Sequence, residues 1–365
     1  MTDRPPVSDW AKDFDHLDPR WVTEPYQIWD ELRRQCPVAH TERYNGVYFP
    51  SRYADIRAIA YDTEHFSSRR VVVREMPPRV PTDSEKPKAP PGASTLASPP
   101  ITSDPPYHRP ARMLPLPAFT PDAMSRLETR ARKICGDLID SFVTDGNCDA
   151  ATDYAQHVPV AVIAHMLGLP EGDGEKFRRW IHLLLHEGIS EDASFTQALA
   201  EMDDYFRMQI ANRRSVPGED LITFLLGAQM EDQPLSDEHI IGTLRLLLIA
   251  GIDTTWSAIG SCLWHLAQHR DDRRRLVSEP ALMPLAVEEF LRAYAPVTMA
   301  RQVAKETTVG GCPFKEREMV LLSFPAANRD PEVFPQADRV LIDRAENRHA
   351  AFGLGIHRCI GSNLA

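Results

Sequence analysis

The run Leu235–Gln268, LSDEHIIGTLRLLLIAGIDTTWSAIGSCLWHLAQ, constrains the fold more than any other stretch of the chain. Ser236 offers a cap, and Asp237 and Glu238 put acids in a first turn, where the helix dipole favours negative charge. The residues that follow are apolar on nearly every side of a helix, so the segment belongs in an interior. Its middle breaks the pattern. Ala250-Gly251-Ile252-Asp253-Thr254-Thr255 sets a carboxylate, two β-branched alcohols and a glycine where a helix gains little from them. Threonine can bond back to the carbonyl four residues earlier, and such sites often host local distortions. The residues alone leave two readings open: a kink with satisfied threonines, or a polar site inside the protein.

A chain of 365 residues holds one large domain or two average ones, and 43% hydrophobic residues are ample for a sizeable core. The net charge of −11, from 52 acidic and 41 basic residues, argues against a nucleic-acid binder and against attachment to anionic membranes. The N-terminal MTDRPPVSDWAKDFDHLD is polar and proline-bearing, unlike a signal peptide. The longest apolar run, Leu246–Ile252, is too short for a bilayer. Six scattered cysteines (36, 135, 148, 262, 312, 359) show no paired cadence. A soluble, reducing, cytoplasmic setting is expected.

In chain order, Pro25–Cys36 has helical spacing, Val47–Pro50 reads as a strand and Tyr53–Ala60 as a helix. Residues 71–106 are crowded with prolines and cannot hold a regular helix, which predicts a solvated, partly disordered loop. Helices are expected over Asp122–Asp145, Val158–Leu167, Gly174–Glu187, Ser194–Arg214 and Asp220–Gln229, punctuated by Gly168-Leu169-Pro170 and Val216-Pro217-Gly218. Met166, Phe177, Trp180 and Leu184 suit core packing better than a pocket wall. Cys312–Phe314 and Met319–Phe324 read as short strands.

Phe352–Gly361, FGLGIHRCIG, places Cys359 in a loop with glycines at 353, 355 and 361. Glycine lets the main chain approach a flat ligand closely. The residues from Ile360 to Ala365 can start a helix, whose unpaired N–H groups favour a thiolate. A thiolate held that way is a metal ligand; the same residues also suit a glycine-rich turn around a structural cysteine. Two further pairs stand out. In Asp104–Arg112, DPPYHRPAR, His108 and Arg112 are four apart and share a helix face. Two cations there suit carboxylates, or simply water. Pro110 between them is tolerated in the first turn of a helix. Glu289 and Arg292, three apart, form on their own an ordinary surface pair worth roughly a few tenths of a kcal/mol.

Together these stretches resemble a known family. Phe352, Gly355, Cys359 and Gly361 match F-x-x-G-x-x-x-C-x-G, the haem-ligand signature of the cytochrome P450 superfamily, and His357 fits the H-x-C form common in its soluble bacterial-type members. Ala250–Thr255 resembles the family's oxygen-binding motif, A/G-G-x-D/E-T-T/S. Asp104–Arg112 resembles its D-P-P-x-H-x-x-x-R element, and Pro296–Ala304 the segment whose arginine, here Arg301, contacts a haem propionate. The resemblance runs from about residue 20 to the end, with the motifs in family order.

The resemblance implies a mostly α fold with a small β region, one domain over 1–365, and one haem b (iron protoporphyrin IX) between the central helix and the Cys359 loop. It makes Cys359 the axial iron ligand, whose electron donation favours O–O cleavage. Asp253 and Thr254 become the acid–alcohol pair that relays protons. His108, Arg112, Arg301 and His357 neutralise propionates, Phe352, Gly355 and Gly361 shape the ligand loop, and Val297, Thr298 and Met299 face the substrate. Glu289 and Arg292 brace the haem-side core, with Arg339 as the third member. The implied reaction is monooxygenation: one atom of dioxygen enters an apolar or aromatic small molecule and the other leaves as water. No flavin or nicotinamide fingerprint is present, so electrons are expected from a ferredoxin or flavodoxin-like donor with its reductase, or from a reductase fused beyond residue 365. A non-catalytic haem sensor or carrier would need no Asp253–Thr254 pair, and Thr254 also favours dioxygen over peroxide. Family members continue well past the position of Ala365, so a C-terminally truncated chain is expected, and with it the alternative of an inactive fragment.

Overall fold

The computed structural model describes residues 5–73, 98–187 and 192–365. Most of the proline-rich loop lies outside the described residues. In chain order the elements are α1 (Trp10–Asp13), α2 (Pro19–Thr23), α3 (Pro25–Gln35), β1 (Val38–Thr41), β2 (Val47–Pro50), α4 (Tyr53–Tyr61), β3 (Phe66–Ser67), α5 (His108–Met113), α6 (Pro121–Phe142), α7 (His157–Leu167), α8 (Gly174–His182), α9 (Asp192–Ser215) and α10 (Leu221–Gly227). They continue with β4 (Gln229–Met230), β5 (Gln233–Pro234), α11 (Asp237–Gln268), α12 (Arg270–Ser278), α13 (Met283–Ala293), β6 (Thr298–Val303), β7 (Thr307–Val309), β8 (Cys312–Phe314), β9 (Met319–Ser323) and α14 (Phe324–Ala327). Helix starts follow their caps: Thr120, Asp220 and Ser323 each accept a hydrogen bond from a backbone N–H of the first turn. The helix expected over Asp220–Gln229 ends at Gly227 instead. Glu231 and Asp232, with φ of 54° and 61°, turn the chain into the two-stranded hairpin β4–β5.

The chain forms two compact units. The first comprises Met1–Pro90 and Leu266–Arg358. It is built on a five-stranded sheet of order β1-β2-β9-β6-β3, in which only β2 and β9 run parallel. β9 is buried at every residue, as its unbroken apolar sequence MVLLS requires of a central strand. Phe14, Trp21, Trp29, Leu32 and Phe49 pack one core of this unit, and Ile56, Ile59, Phe66, Val320 and Leu322 another.

The second unit comprises Pro91–His265 and Cys359–Ala365. Phe177, Trp180 and Leu184 are core residues here, with Met166 packed against them, as the sequence suggests. Gly251 of the central motif serves packing: a Cβ there would lie 2.5 Å from Ile163 Cδ1, so α7 and α11 touch at that point. α11 is continuous through this motif. Thr254 Oγ1 donates to the Ala250 carbonyl at 2.8 Å, and the helix runs through it. Burial along α11 is uneven. Ile240–Arg245 is buried, whereas Asp253–Leu263 is only half-buried despite its apolar composition. Among the described residues α11 is also the helix long and apolar enough to cross a bilayer by length and composition. The packing of its first half is that of an interior helix.

Candidate active site

In the first unit, α13 carries Glu289 and Arg292, both fully buried. Arg292 donates to both Glu289 oxygens at 2.8 Å, to the carbonyls of Asn328 and Ala337 at 2.9 Å and to that of Arg339 at 2.6 Å. Glu289 also accepts from Leu341 N at 2.8 Å, from Arg344 Nε at 2.9 Å and from Asn347 Nδ2 at 3.1 Å. Burial alone would raise the Glu289 pKa; the donors from Arg292, Leu341 and Arg344 outweigh it and hold the carboxylate below its usual range. The third arm is therefore Arg344, not Arg339. The Arg339 side chain turns to Gln336 Oε1 at 2.8 Å, and only its carbonyl joins the network. The physical reason is the turn at Pro335–Arg339, closed by the Arg339 N to Gln336 O bond, which points the Arg339 side chain outward and returns the chain at Arg344.

This brace fixes the approach to the Cys359 loop. Asn328 Oδ1 accepts from Ala350 N at 2.7 Å, Asp330 accepts from Tyr53 N at 2.8 Å, and Tyr53 donates to the Arg348 carbonyl at 3.0 Å. Gly355, with φ of +70°, sits so close to α4 that a Cβ would lie 2.1 Å from the Ala60 carbonyl oxygen. No side chain fits there. Phe352 is half-buried and lies 6.0 Å, ring to ring, from His349. His357 ends a short 3₁₀ turn over Gly355–His357. Arg301 is buried in mid-sheet, pairing with Val320 and donating to the Ala300 carbonyl at 2.7 Å. Val297 and Met299 pack against this unit's core, and Thr298 is exposed.

The second unit holds the other residues. Cys359 is exposed and is not part of a disulfide. The helix expected after it is one turn, closed by Leu364 N and Ala365 N on the Gly361 carbonyl. Ile360 and Leu364 pack into the unit's core, and Asn363 donates to the Phe119 carbonyl at 3.3 Å. At Gly361 a Cβ would make only ordinary contacts, 3.7 Å from Phe119 and 3.8 Å from Cys359 Sγ. α5 carries His108, which is buried, and Arg112 one turn on, with Pro110 in the first turn as expected. The same unit therefore presents an accessible sulfur, a half-buried apolar stretch of α11 bearing Asp253 and Thr254, and a histidine and an arginine on a short helix. A soft sulfur donor suits iron, an apolar helix face suits a flat macrocycle, and such a pair suits carboxylates. These residues fit haem. Sequence reasoning missed two members of the surroundings: Arg344, and His239 at the start of α11, whose Nδ1 lies 2.7 Å from the Tyr107 hydroxyl.

The model of the cytochrome P450 family matches residues 190–365. The chain is 33% identical to the vitamin D(3) 25-hydroxylase of Pseudonocardia autotrophica, across 93% of this chain and 82% of that protein. It is a cytochrome P450. Solved P450 structures superpose on it closely. CYP109E1 from Bacillus megaterium, in complex with testosterone, has a TM-score of 0.82 at 30% identity, covering 93% of this chain and 86% of that one. The bacillaene polyketide synthase P450 PksS of Bacillus subtilis has a TM-score of 0.84 at 28% identity, covering 96% and 87%. This P450 is thus a haem-thiolate monooxygenase that binds haem b and uses a substrate, dioxygen and a redox partner.

Proposed function

We propose that Cys359 is the thiolate that would hold the haem iron of this P450. The observation that carries the reading is that Cys359 is exposed, outside any disulfide, entered from a loop whose approach the Glu289–Arg292–Arg344 network immobilises and followed by a turn anchored on Phe119. When bound, the haem supplies oxygen activation. The chain's own residues do the rest. Thr254 Oγ1 uses its proton on the Ala250 carbonyl and keeps lone pairs to accept from water, so it orients a proton donor rather than acting alone. Asp253, beside it, is the acid that resupplies protons. His108 and Arg112 would hold carboxylates, and Arg301 and His357 are assigned the same role. Phe352, Gly355 and Gly361 shape the loop, and residues 1–365 serve as one haem domain.

The substrate class is a mostly apolar small molecule. Known relatives support this: CYP109E1 has been solved with testosterone, and P450BioI with a hexadec-9Z-enoic acid-ligated acyl carrier protein. Electrons come from a ferredoxin or flavodoxin-like donor with its reductase, or from a fused reductase. The enzyme works in the cytoplasm, without nucleic acid and without a membrane. The test is the reduced, carbon-monoxide-bound spectrum of the protein beside Cys359→Ala. A thiolate-type Soret band that the variant loses is expected; a histidine-type band in both proteins overturns the assignment.

A further inference from the structure

The start of α11 carries a polar residue that packing alone would not select. His239 is 7% exposed, and its ring lies 5.9 Å from that of Tyr107. Burial drives the His239 pKa down to about 4, so the imidazole is neutral near pH 7. Burial first, and the Glu231 charge second, raise the Tyr107 pKa. The phenol therefore keeps its proton, and with the Nε2–H tautomer assigned to His239 it donates to Nδ1 across 2.7 Å. Nε2 is then the N–H, buried and without a hydrogen-bond partner among the described residues. One turn on, Thr243 is 1% exposed and its Oγ1 is in the same condition. A helix selected for stability alone would be apolar at both positions, because a buried group left unpaired costs more than one bond returns.

Tyr107 directly precedes His108. α5 is six residues long, has no side-chain cap and carries Pro110 in its first turn, so little within the helix fixes where it lies. The Tyr107–His239 bond is a directional tie between the start of α5 and α11. We propose that Tyr107 and His239 are positioning residues that hold His108 and Arg112 in place for the haem propionates. The proposal rests on the propionate assignment of His108 and Arg112 made above. Such a tie governs how long haem is held rather than how stable the polypeptide is.

The test is haem transfer from the holoenzyme to an excess of a haem-scavenging apoprotein, followed at the Soret band. Each apoprotein is melted in parallel. Tyr107→Phe and His239→Leu are each expected to release haem about tenfold faster, the scale of one lost hydrogen bond. The double variant should be no faster than either single one, since the two residues share one bond. His239→Gln, which keeps an acceptor, should recover most of the parent rate. Apoprotein melting should stay level, or rise in His239→Leu. Unchanged release in Tyr107→Phe, with faster release in Arg112→Gln, overturns the positioning role alone. Unchanged release in both overturns the propionate assignment beneath it. A fall in apoprotein melting that tracks haem loss makes the contact structural and also overturns the proposal.

Discussion

The buried polar groups of α13 and those of α11 are treated in opposite ways. The Glu289 and Arg292 side chains themselves are filled: all five N–H donors of Arg292 find acceptors, and both carboxylate oxygens accept more than one donor, while at the network's edge Asn328 Nδ2 and Asn347 Oδ1 have no hydrogen-bond partner among the described residues. Along α11, His239 Nε2 and Thr243 Oγ1 have no hydrogen-bond partner among the described residues, and the stretch with Asp253 and Thr254 is only half-buried. A saturated network resists change and makes a scaffold. An unsaturated one retains capacity for something that arrives later, which is what a site needs.

The contrast can be broken at its strong end first. Glu289→Gln leaves Arg292 and Arg344 as buried charges without their counterion. Urea unfolding of the apoprotein should show a loss of about 3–5 kcal/mol, and a loss below about 1 kcal/mol would mean that the network is not a scaffold. Mild acid probes the weak end. Unfolded histidine titrates near 6.5 and folded His239 near 4. Above pH 6.5 both states are neutral there; below it only the unfolded state gains the proton, so stability falls as pH drops from 6.5 toward 4. The fall should reach about 3 kcal/mol, and His239→Leu should remove it while leaving the part due to His349, whose pKa burial also lowers against the pull of Glu288. Thr254→Ala should reduce product-forming turnover by about 10²-fold. Its apoprotein should melt within a few degrees of the parent, because the hydroxyl serves only a back-bond to Ala250. Arg344→Ala and Arg339→Ala sharpen the assignment of the third arm: the first should cost several kcal/mol and the second about 0.5 kcal/mol or less, by the same unfolding measurement.

Much of this was legible in the sequence because it is local. The limits of α11 follow from Ser236, which accepts from His239 N at 3.2 Å, and from the apolar run behind it. The Glu289–Arg292 pair is a helix spacing, and the ligand loop is a contiguous motif. What was not legible is long-range. The segment from Arg339 to Arg348 has three arginines and no periodicity, so nothing in it distinguishes the arm that reaches Glu289 from those that do not. The tie from Tyr107 to His239 joins residues 132 apart, and its only local sign is a histidine in an apolar helix. The half-burial of Asp253–Leu263 could not be read either, since an apolar helix looks the same whether protein or a ligand covers it.

The two glycines that flank Cys359 make a ruler. At Gly355 a protein carbonyl already occupies the space of a Cβ, so any larger residue should be rejected with or without cofactor. At Gly361 protein atoms leave room for alanine. Gly361→Ala should therefore be silent in the apoprotein, and whatever defect emerges on loading measures, in units of one methyl group, how closely the main chain is approached from the other side.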